Sequence, residues 1–501
     1  MSLAVVFSRA QLGIEAPLVT VEVHLANGLP GLSIVGLAET AVRESKDRVR
    51  GALLNSRFEY PARRITINLA PAELPKEGGH FDLPIALGIL AASGQLPAQT
   101  LHQYEFVGEL ALSGELRPAR GVIPMALQCR DAGRELVLPA VNGAEAALVE
   151  GARVRPAAHL LQVAGHFQEG EALALQLPGS LPALAPQPDM AEVRGQAQAR
   201  RALEVAAAGG HSLLMVGPPG TGKSLLASRL PGILPDLEED EAMEAAALAS
   251  VSREGFDACH WRQRPFRAPH HSASAVALVG GGPQPRPGAI SLAHQGVLFL
   301  DELPEFDRRV LEVLREPLET GQILISRAAR QARYPARFQL VAAMNPCPCG
   351  YWGDPGDRCQ CSAEQVRRYR NRISGPLLDR IDLQVEVPRM AFDELQGRAG
   401  EPSAAVRARV VAARERQRAR CGELNGRLEL RALEIHCELR AEDHALLGQV
   451  MERFRLSARS YHRILKVART IADLDRAEDI GRHHLTEALG YRSLDRPPGG
   501  R

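Results

Sequence analysis

Alternating apolar and polar residues mark short strands in the first third of the chain, and between them the apolar positions recur every three to four residues. The two periods predict strands at Leu18 to Leu25, Arg64 to Leu69 and Glu135 to Leu138, and helices at Ala38 to Asn55 and Asp82 to Ala92. Residues 1–170 therefore read as an α/β or α+β domain. From 171 to 190 the periodicity stops, and Pro178, Pro182, Pro186 and Pro188 make this stretch a stiff linker. Beyond it the pattern changes. Unbroken apolar runs at Ser212 to Val216, Val297 to Leu300, Gln339 to Ala343 and Leu383 to Val387 predict strands covered on both faces, as in a parallel sheet. A helix is expected at Gly195 to Ala208, and an insertion within Asp257 to Gly288. Residues 191–388 form this core. Residues 389–501 have helical spacing at Ala404 to Cys421, Ala441 to Arg455, Ser457 to Leu474 and Arg482 to Tyr491, with a disordered tail from Arg496.

The strand Ser212 to Val216 runs into Gly217-Pro218-Pro219-Gly220-Thr221-Gly222-Lys223-Ser224 and then a helix, the spacing of a phosphate-binding P-loop. Glycines let backbone N–H groups close around a phosphate, and the next helix turns its N-terminus to the anion. Lys223 would reach the β- and γ-phosphates of ATP, and the Ser224 hydroxyl would ligate Mg²⁺. A second apolar strand, Val297 to Leu300, ends in Asp301-Glu302. Such a pair holds Mg²⁺ through Asp301 and orients the attacking water through Glu302, so it implies hydrolysis and not binding alone. Asn345, at the end of the run Gln339 to Ala343, is placed to bond the γ-phosphate or the water.

The 501 residues carry a formal net charge of +1, so no global field draws the chain to polyanions, and local clusters would have to do so. Only Lys46, Lys76, Lys223 and Lys466 are lysines, which weakens any argument from arginine runs. No stretch approaches a membrane span and the N-terminus lacks a basic segment followed by an apolar core, so a cytoplasmic protein is expected. Cys347, Cys349, Cys359 and Cys361 fall in one glycine-rich loop with Gly350, Gly353, Pro355 and Gly356. Four thiolates suit a structural Zn²⁺ that would pin the loop directly after Asn345, with free thiols or a redox pair as alternatives. His270 and His271 read as polar loop residues. Two strand-like flanks between Thr320 and Arg337 predict a hairpin bearing Arg327, Arg330, Arg333 and Arg337.

Further signals lie in Arg267-Ala268-Pro269-His270-His271, Pro287-Gly288-Ala289-Ile290-Ser291, Leu303-Pro304-Glu305-Phe306, Gly375-Pro376-Leu377-Leu378-Asp379-Arg380 and Ala468-Arg469-Thr470-Ile471-Ala472-Asp473-Leu474. With them the chain resembles the magnesium-chelatase-like branch of AAA+ ATPases, and within it the ComM/YifB family, over nearly its whole length. The N-terminal domain resembles that of Lon-type proteases, but the nucleophilic serine falls on His80 and the partner lysine near Ile123, so a scaffold without proteolysis is implied. The resemblance implies a P-loop AAA+ core with a C-terminal helical lid, assembled as a homo-oligomeric ring, most simply a hexamer. It implies Arg380 as the arginine finger, with Arg372 as the competitor, Arg459 as sensor 2, with Arg463 as the competitor, and a hairpin whose four arginines line a pore for single-stranded or branched DNA. The activity implied is an ATP-dependent DNA translocase that promotes branch migration in natural transformation. A magnesium-chelatase-type motor and a protein-remodelling ATPase are the alternatives.

Overall fold

The computed structural model describes residues 2–36, 42, 44–168, 170–179, 183–282, 285–327, 330–353, 358–397, 399–454 and 456–492. They divide into two units, one of residues 1–183 with 243–261, the other of 184–242 with 262–501. The division near 183 falls in the proline-rich stretch.

The first unit is built on a seven-stranded sheet in the order Gly31–Val35, Arg64–Ala70, Leu18–Ala26, Leu3–Arg9, Tyr104–Phe106, Glu135–Pro139, Arg153–Ala157. Leu18–Ala26 shows why alternation predicts a strand, since Val19, Val21, Val23 and Leu25 turn inward while the residues between them are more exposed. Helix Asp82–Ala92 packs on the strands Leu3–Arg9 and Leu18–Ala26 with all its residues buried, which its almost continuous apolar sequence requires. Leu3–Arg9 sits mid-sheet, antiparallel to Leu18–Ala26 and parallel to Tyr104–Phe106. Its short apolar run carries no hairpin signal, so it does not stand out in the sequence. The helix expected from Ala38 is described from Ser45 to Asn55, and Ala38 itself lies outside the described residues.

The second unit holds a five-stranded sheet in the order Phe266–Arg267, Val297–Leu300, Gln339–Met344, Leu213–Val216, Leu383–Glu386, with every neighbouring pair parallel. The two-residue edge strand Phe266–Arg267 lies inside the stretch read as an insertion, which is therefore partly sheet. Helices Ala197–Gly209 and Lys223–Ile233 pack on the sheet and Ser403–Cys421 packs on those two helices, while one apolar core runs from Leu213, Met215 and Val385 into Val410, Ile464 and Ile471 of the C-terminal helices. Those helices continue as Leu430–His436, Ala441–Phe454, Ala458–Leu474 and Arg482–Gly490. The expected tail from Arg496 lies outside the described residues. Among the described residues no helix is long and apolar enough to cross a membrane.

Candidate functional site

Because all five strands of the second unit run the same way, their C-terminal ends open on one edge. Three carry the chemistry: Leu213–Val216 leads into the P-loop, Gln339–Met344 into Asn345, and Val297–Leu300 into Asp301. In the P-loop an added Cβ at Gly217 would meet the Val387 carbonyl oxygen at 2.1 Å, while Gly220 and Gly222 have φ of 76° and 87° with open space around them. Only glycine serves at these positions, and the curl they permit leaves an uncrowded cradle at the start of helix Lys223–Ile233. Thr221 Oγ1 ties the loop to the Pro218 carbonyl at 3.0 Å.

Lys223 is buried, and its Nζ donates to the carbonyls of Gly217 (2.7 Å) and Pro218 (2.8 Å) and to Asn345 Oδ1 (3.3 Å). Burial lowers its pKa, and the Asp301 and Glu302 carboxylates push it back up. Ser224 Oγ donates to Asp301 Oδ2 at 2.5 Å, and Asp301 Oδ1 accepts the Glu302 backbone N–H at 2.9 Å. The hydroxyl and carboxylate that Mg²⁺ requires thus face each other beside the anion cradle, and the donor set fits Mg²⁺ with a polyphosphate. Lys223, Ser224, Asp301 and Asn345 come together as the sequence pattern expects. Glu302 has a left-handed backbone, φ 53°, and its Oε2 lies 2.9 Å from His271 Nδ1. That partner was invisible in the sequence, which gave His271 only as a polar loop residue.

The two remote arginines lie differently. Arg459 is exposed in the first turn of helix Ala458–Leu474. Arg380 is buried, donating to Glu319 and, at 2.6 Å, to the Pro376 carbonyl. Arg463 instead joins the helical region to the sheet, through Asp382 and, at 2.9 Å, the Arg380 carbonyl. Burial would raise the Asp382 carboxyl, but Arg463 and then His211 outweigh it and hold it below the usual carboxylate range.

The expected hairpin is present as Gln322–Arg327 paired antiparallel with Arg330–Pro335. Ile323, Ile325, Ala332 and Tyr334 are buried on one face, whereas Leu324 and Arg333 are exposed on the other. The side chains of Arg327 and Arg330 and the tip 328–329 lie outside the described residues. Arg337 is beyond the hairpin, on the segment entering the next strand, and borders a separate cavity of about 720 Å³ with Arg380 and Arg463. Two-residue spacing ends at Pro335, and this separates Arg337 from the face that carries Arg333.

The four cysteine sulfurs lie within 4.8 Å of one another, with Cys347 to Cys349 at 3.3 Å, Cys347 to Cys359 at 3.8 Å and Cys349 to Cys359 at 3.6 Å. The Tyr351 backbone N–H brings the Cys349 thiol down to about 6. Four converging sulfurs fit a tetrahedral Zn²⁺. Pro355 and Gly356 of this loop lie outside the described residues. The loop meets the P-loop directly, since an added Cβ at Gly350 would come within 2.7 Å of Pro219 Cδ. Asp475, His483 and His484 also converge. There His484 Nδ1 accepts the Gly481 N–H at 2.9 Å, so in neutral His484 the proton sits on Nε2, facing Asp475, and the group caps a helix.

In the first unit stands His80, the residue that the Lon-type resemblance aligns with the serine. Its ring N–H donates to the Arg9 carbonyl at 3.0 Å, and burial lowers it to about 4. Ile123 is buried in helix Val122–Asp131.

Comparison with known proteins gives three family models along the chain: "Subunit ChlI of Mg-chelatase" over residues 21–142, "Magnesium chelatase, subunit ChlI" over 189–395 and "Magnesium chelatase, subunit ChlI C-terminal" over 400–492. The chain is 53% identical to competence protein ComM of Haemophilus influenzae, covering 99% of this chain and 98% of that protein. It is 52% identical to YifB of Salmonella typhimurium with the same coverage. The 38 kDa magnesium-chelatase subunit of Cereibacter sphaeroides is 26% identical over 30% of this chain and 51% of its own length. Full-length identity above half, a P-loop on a parallel sheet and a helical C-terminal region place this chain in the ComM/YifB family of magnesium-chelatase-like AAA+ ATPases.

Proposed function

We propose that this chain is the subunit of an ATP-hydrolysing ring motor, a homohexamer, that moves on single-stranded or branched DNA in the cytoplasm. Its work would be branch migration as imported DNA recombines during natural transformation. The convergence of Lys223, Asn345, Ser224, Asp301 and Glu302 at one sheet edge carries the hydrolytic half of this reading. The DNA half is supported by similarity to a protein named for competence and by the exposed Arg333 face of the hairpin.

In this reading the P-loop amides and Lys223 bind the β- and γ-phosphates, and Ser224 with Asp301 would hold Mg²⁺, which neutralises phosphate charge. Glu302 takes a proton from the attacking water as its oxygen bonds to the γ-phosphorus and the bond to the β-phosphate oxygen breaks, giving ADP and phosphate. Asn345 fixes that water or the γ-phosphate. Arg459 acts from the helical lid. Arg380 exchanges Glu319 for the γ-phosphate on a neighbouring subunit, stabilising charge that develops there. Arg327, Arg330 and Arg333 contact the DNA backbone, with Arg337 contributing from the hairpin base. Cys347, Cys349, Cys359 and Cys361 would hold a structural Zn²⁺, which would keep their loop against Pro219, so metal analysis of the purified protein should find one zinc per chain.

The test is steady-state ATP hydrolysis with and without single-stranded DNA and a four-way junction, using Glu302→Gln as control. DNA stimulation that disappears in the variant supports the reading. Hydrolysis indifferent to DNA favours a chelatase-type or protein-remodelling motor.

A further inference from the structure

We infer that the cluster Cys347, Cys349, Cys359 and Cys361 is a clamp on the nucleotide site, so that Zn²⁺ and nucleotide each strengthen the binding of the other. The inference rests on the zinc reading above and adds what occupancy of that site does.

The sulfurs join two elements that flank Asn345. Cys347 and Cys349 follow the strand Gln339–Met344, and Cys359 and Cys361 stand just before helix Ala363–Arg370, which Ser362 caps. All four sulfurs lie within 4.8 Å of one another. Two backbone N–H groups of the intervening turn point at sulfur, Trp352 at Cys347 with 3.3 Å and Tyr351 at Cys349. Donors aimed at sulfur favour the thiolate, the form that ligates a metal. Little else holds this loop. Among its described residues only Cys347 and Gly350 are buried, so it has no apolar core of its own and takes its order from the sulfurs.

Two contacts run from the cluster to the nucleotide site. Gly350, next to Cys349, has φ of 87° and lays its backbone against both the P-loop and Asn345. An added Cβ there would come within 2.7 Å of Pro219 Cδ and 3.8 Å of Asn345 Cγ. The second contact passes through the helix: the hydroxyl of buried Tyr369 accepts the Asn345 backbone N–H, and Arg370 Nε donates to the Pro346 carbonyl at 3.4 Å. Asn345 in turn meets Lys223 Nζ through its Oδ1 at 3.3 Å. With the sulfurs apart, the strand exit and the helix lose their tie, and an incoming nucleotide has to order Asn345 and Pro219 itself. With the sulfurs drawn together on Zn²⁺ that ordering is already done, and nucleotide affinity rises. Coupling between two ligands is reciprocal, so bound nucleotide strengthens metal binding by the same factor.

The experiment measures both halves of this cycle on the full chain. Zinc affinity is taken by equilibrium competition with a chromogenic chelator, with and without saturating MgADP. The Kd of a fluorescent ADP is taken before stripping the metal, after stripping with Mg²⁺ restored, and after Zn²⁺ is added back. Stripping should weaken the nucleotide about tenfold, Zn²⁺ should restore it, and MgADP should tighten zinc by about the same factor. Cys361→Ser should bind nucleotide like the stripped wild type and ignore added Zn²⁺. Tyr369→Phe keeps the sulfurs and the P-loop but removes the acceptor of the Asn345 N–H, so it should hold one zinc per chain while the coupling factor falls about threefold. Equal nucleotide affinity with and without the metal overturns the clamp, as does a zinc affinity indifferent to MgADP. An undiminished factor in Tyr369→Phe overturns the helix contact. A chain that takes up no Zn²⁺ at all ends the zinc reading and the inference with it, a result distinct from zinc that binds without coupling.

Discussion

Two glycine-rich loops in this chain each precede a helix and each contain a buried lysine, yet they are put to opposite ends. In the P-loop, Gly220 and Gly222 face open space, and Lys223 sits among carbonyls with Asn345, Asp301 and Glu302 nearby. In the loop 75–82 of the first unit, an added Cβ at Gly79 would lie 2.4 Å from Glu109 Oε2. Acidic groups of the chain itself fill this second helix start: Asp82 is buried there against Arg48 Nε at 2.7 Å. Lys76 is buried too, with its Nζ on the Pro71 carbonyl, and burial lowers its pKa. Similar loop composition thus makes an anion site only where the helix N-terminus is left open and the surrounding charges suit a polyphosphate. Where a carboxylate already occupies that space, the loop is structural.

The largest effects should fall on one side of this contrast. Lys223→Ala should abolish nucleotide binding in a fluorescent-nucleotide titration. Glu302→Gln should retain binding and lower kcat by about 10²–10⁴-fold, the usual contribution of a positioned base. Lys76→Met replaces a buried cation with an apolar chain of similar length, and should leave kcat within about twofold and stability unchanged or slightly raised. Loss of hydrolysis in Lys76→Met would break the contrast.

How legible each loop is in the sequence follows from how far its partners lie along the chain. Gly217 to Ser224 act through local backbone geometry, so spacing alone finds them, and Asp301 with Glu302 is marked by the apolar strand before it. His271 meets Glu302 only because two parallel strands are neighbours, and no local pattern reports that. Motif position marks Arg380, but its buried pairing with Glu319, 61 residues away, is a tertiary fact. Charge groups Arg337 with Arg333, although the strand ends between them at Pro335. A helix with strong three-to-four periodicity, such as Ala458–Leu474, is readable almost to the residue. Very short strands such as Phe266–Arg267 and Tyr104–Phe106 are not, since two or three residues hold no period.

The contrast sharpens when single partners are removed. Arg48→Met strands the Asp82 carboxylate, which burial already pushes above its usual range despite the Arg48 hydrogen bond. Uptake of a proton limits the damage, so the loss should sit near the low end for a broken buried pair, about 3 kcal/mol, or roughly 6–12 °C in Tm by calorimetry. Ser224→Ala removes a partner from a carboxylate in an open site, where water replaces it. Its effect on stability should stay below about 1 kcal/mol while hydrolysis falls. Equal shifts in Tm for the two variants would mean that both loops are structural.

A further effect separates the loops by pH. His80 is lowered to about 4, first by burial, while in the unfolded chain a histidine titrates near its ordinary value of about 6.5. Between those values the unfolded state binds a proton that the folded state refuses, so stability falls as the pH falls through this window and is constant above it. At pH 5 the unfolded histidine is almost fully charged and the folded one nearly neutral, which amounts to about 2 kcal/mol lost relative to pH 8. Thermal melts at pH 8, 6.5 and 5 should show this loss in wild type. His80→Asn keeps an N–H donor for the Arg9 carbonyl but does not titrate, so its pH dependence should be flatter by about the same amount even if its Tm is lower throughout. Parallel curves for the two proteins would show that His80 carries no proton linkage. Its ring would then be accessible to water, and the loop around it would be open in the way the P-loop is.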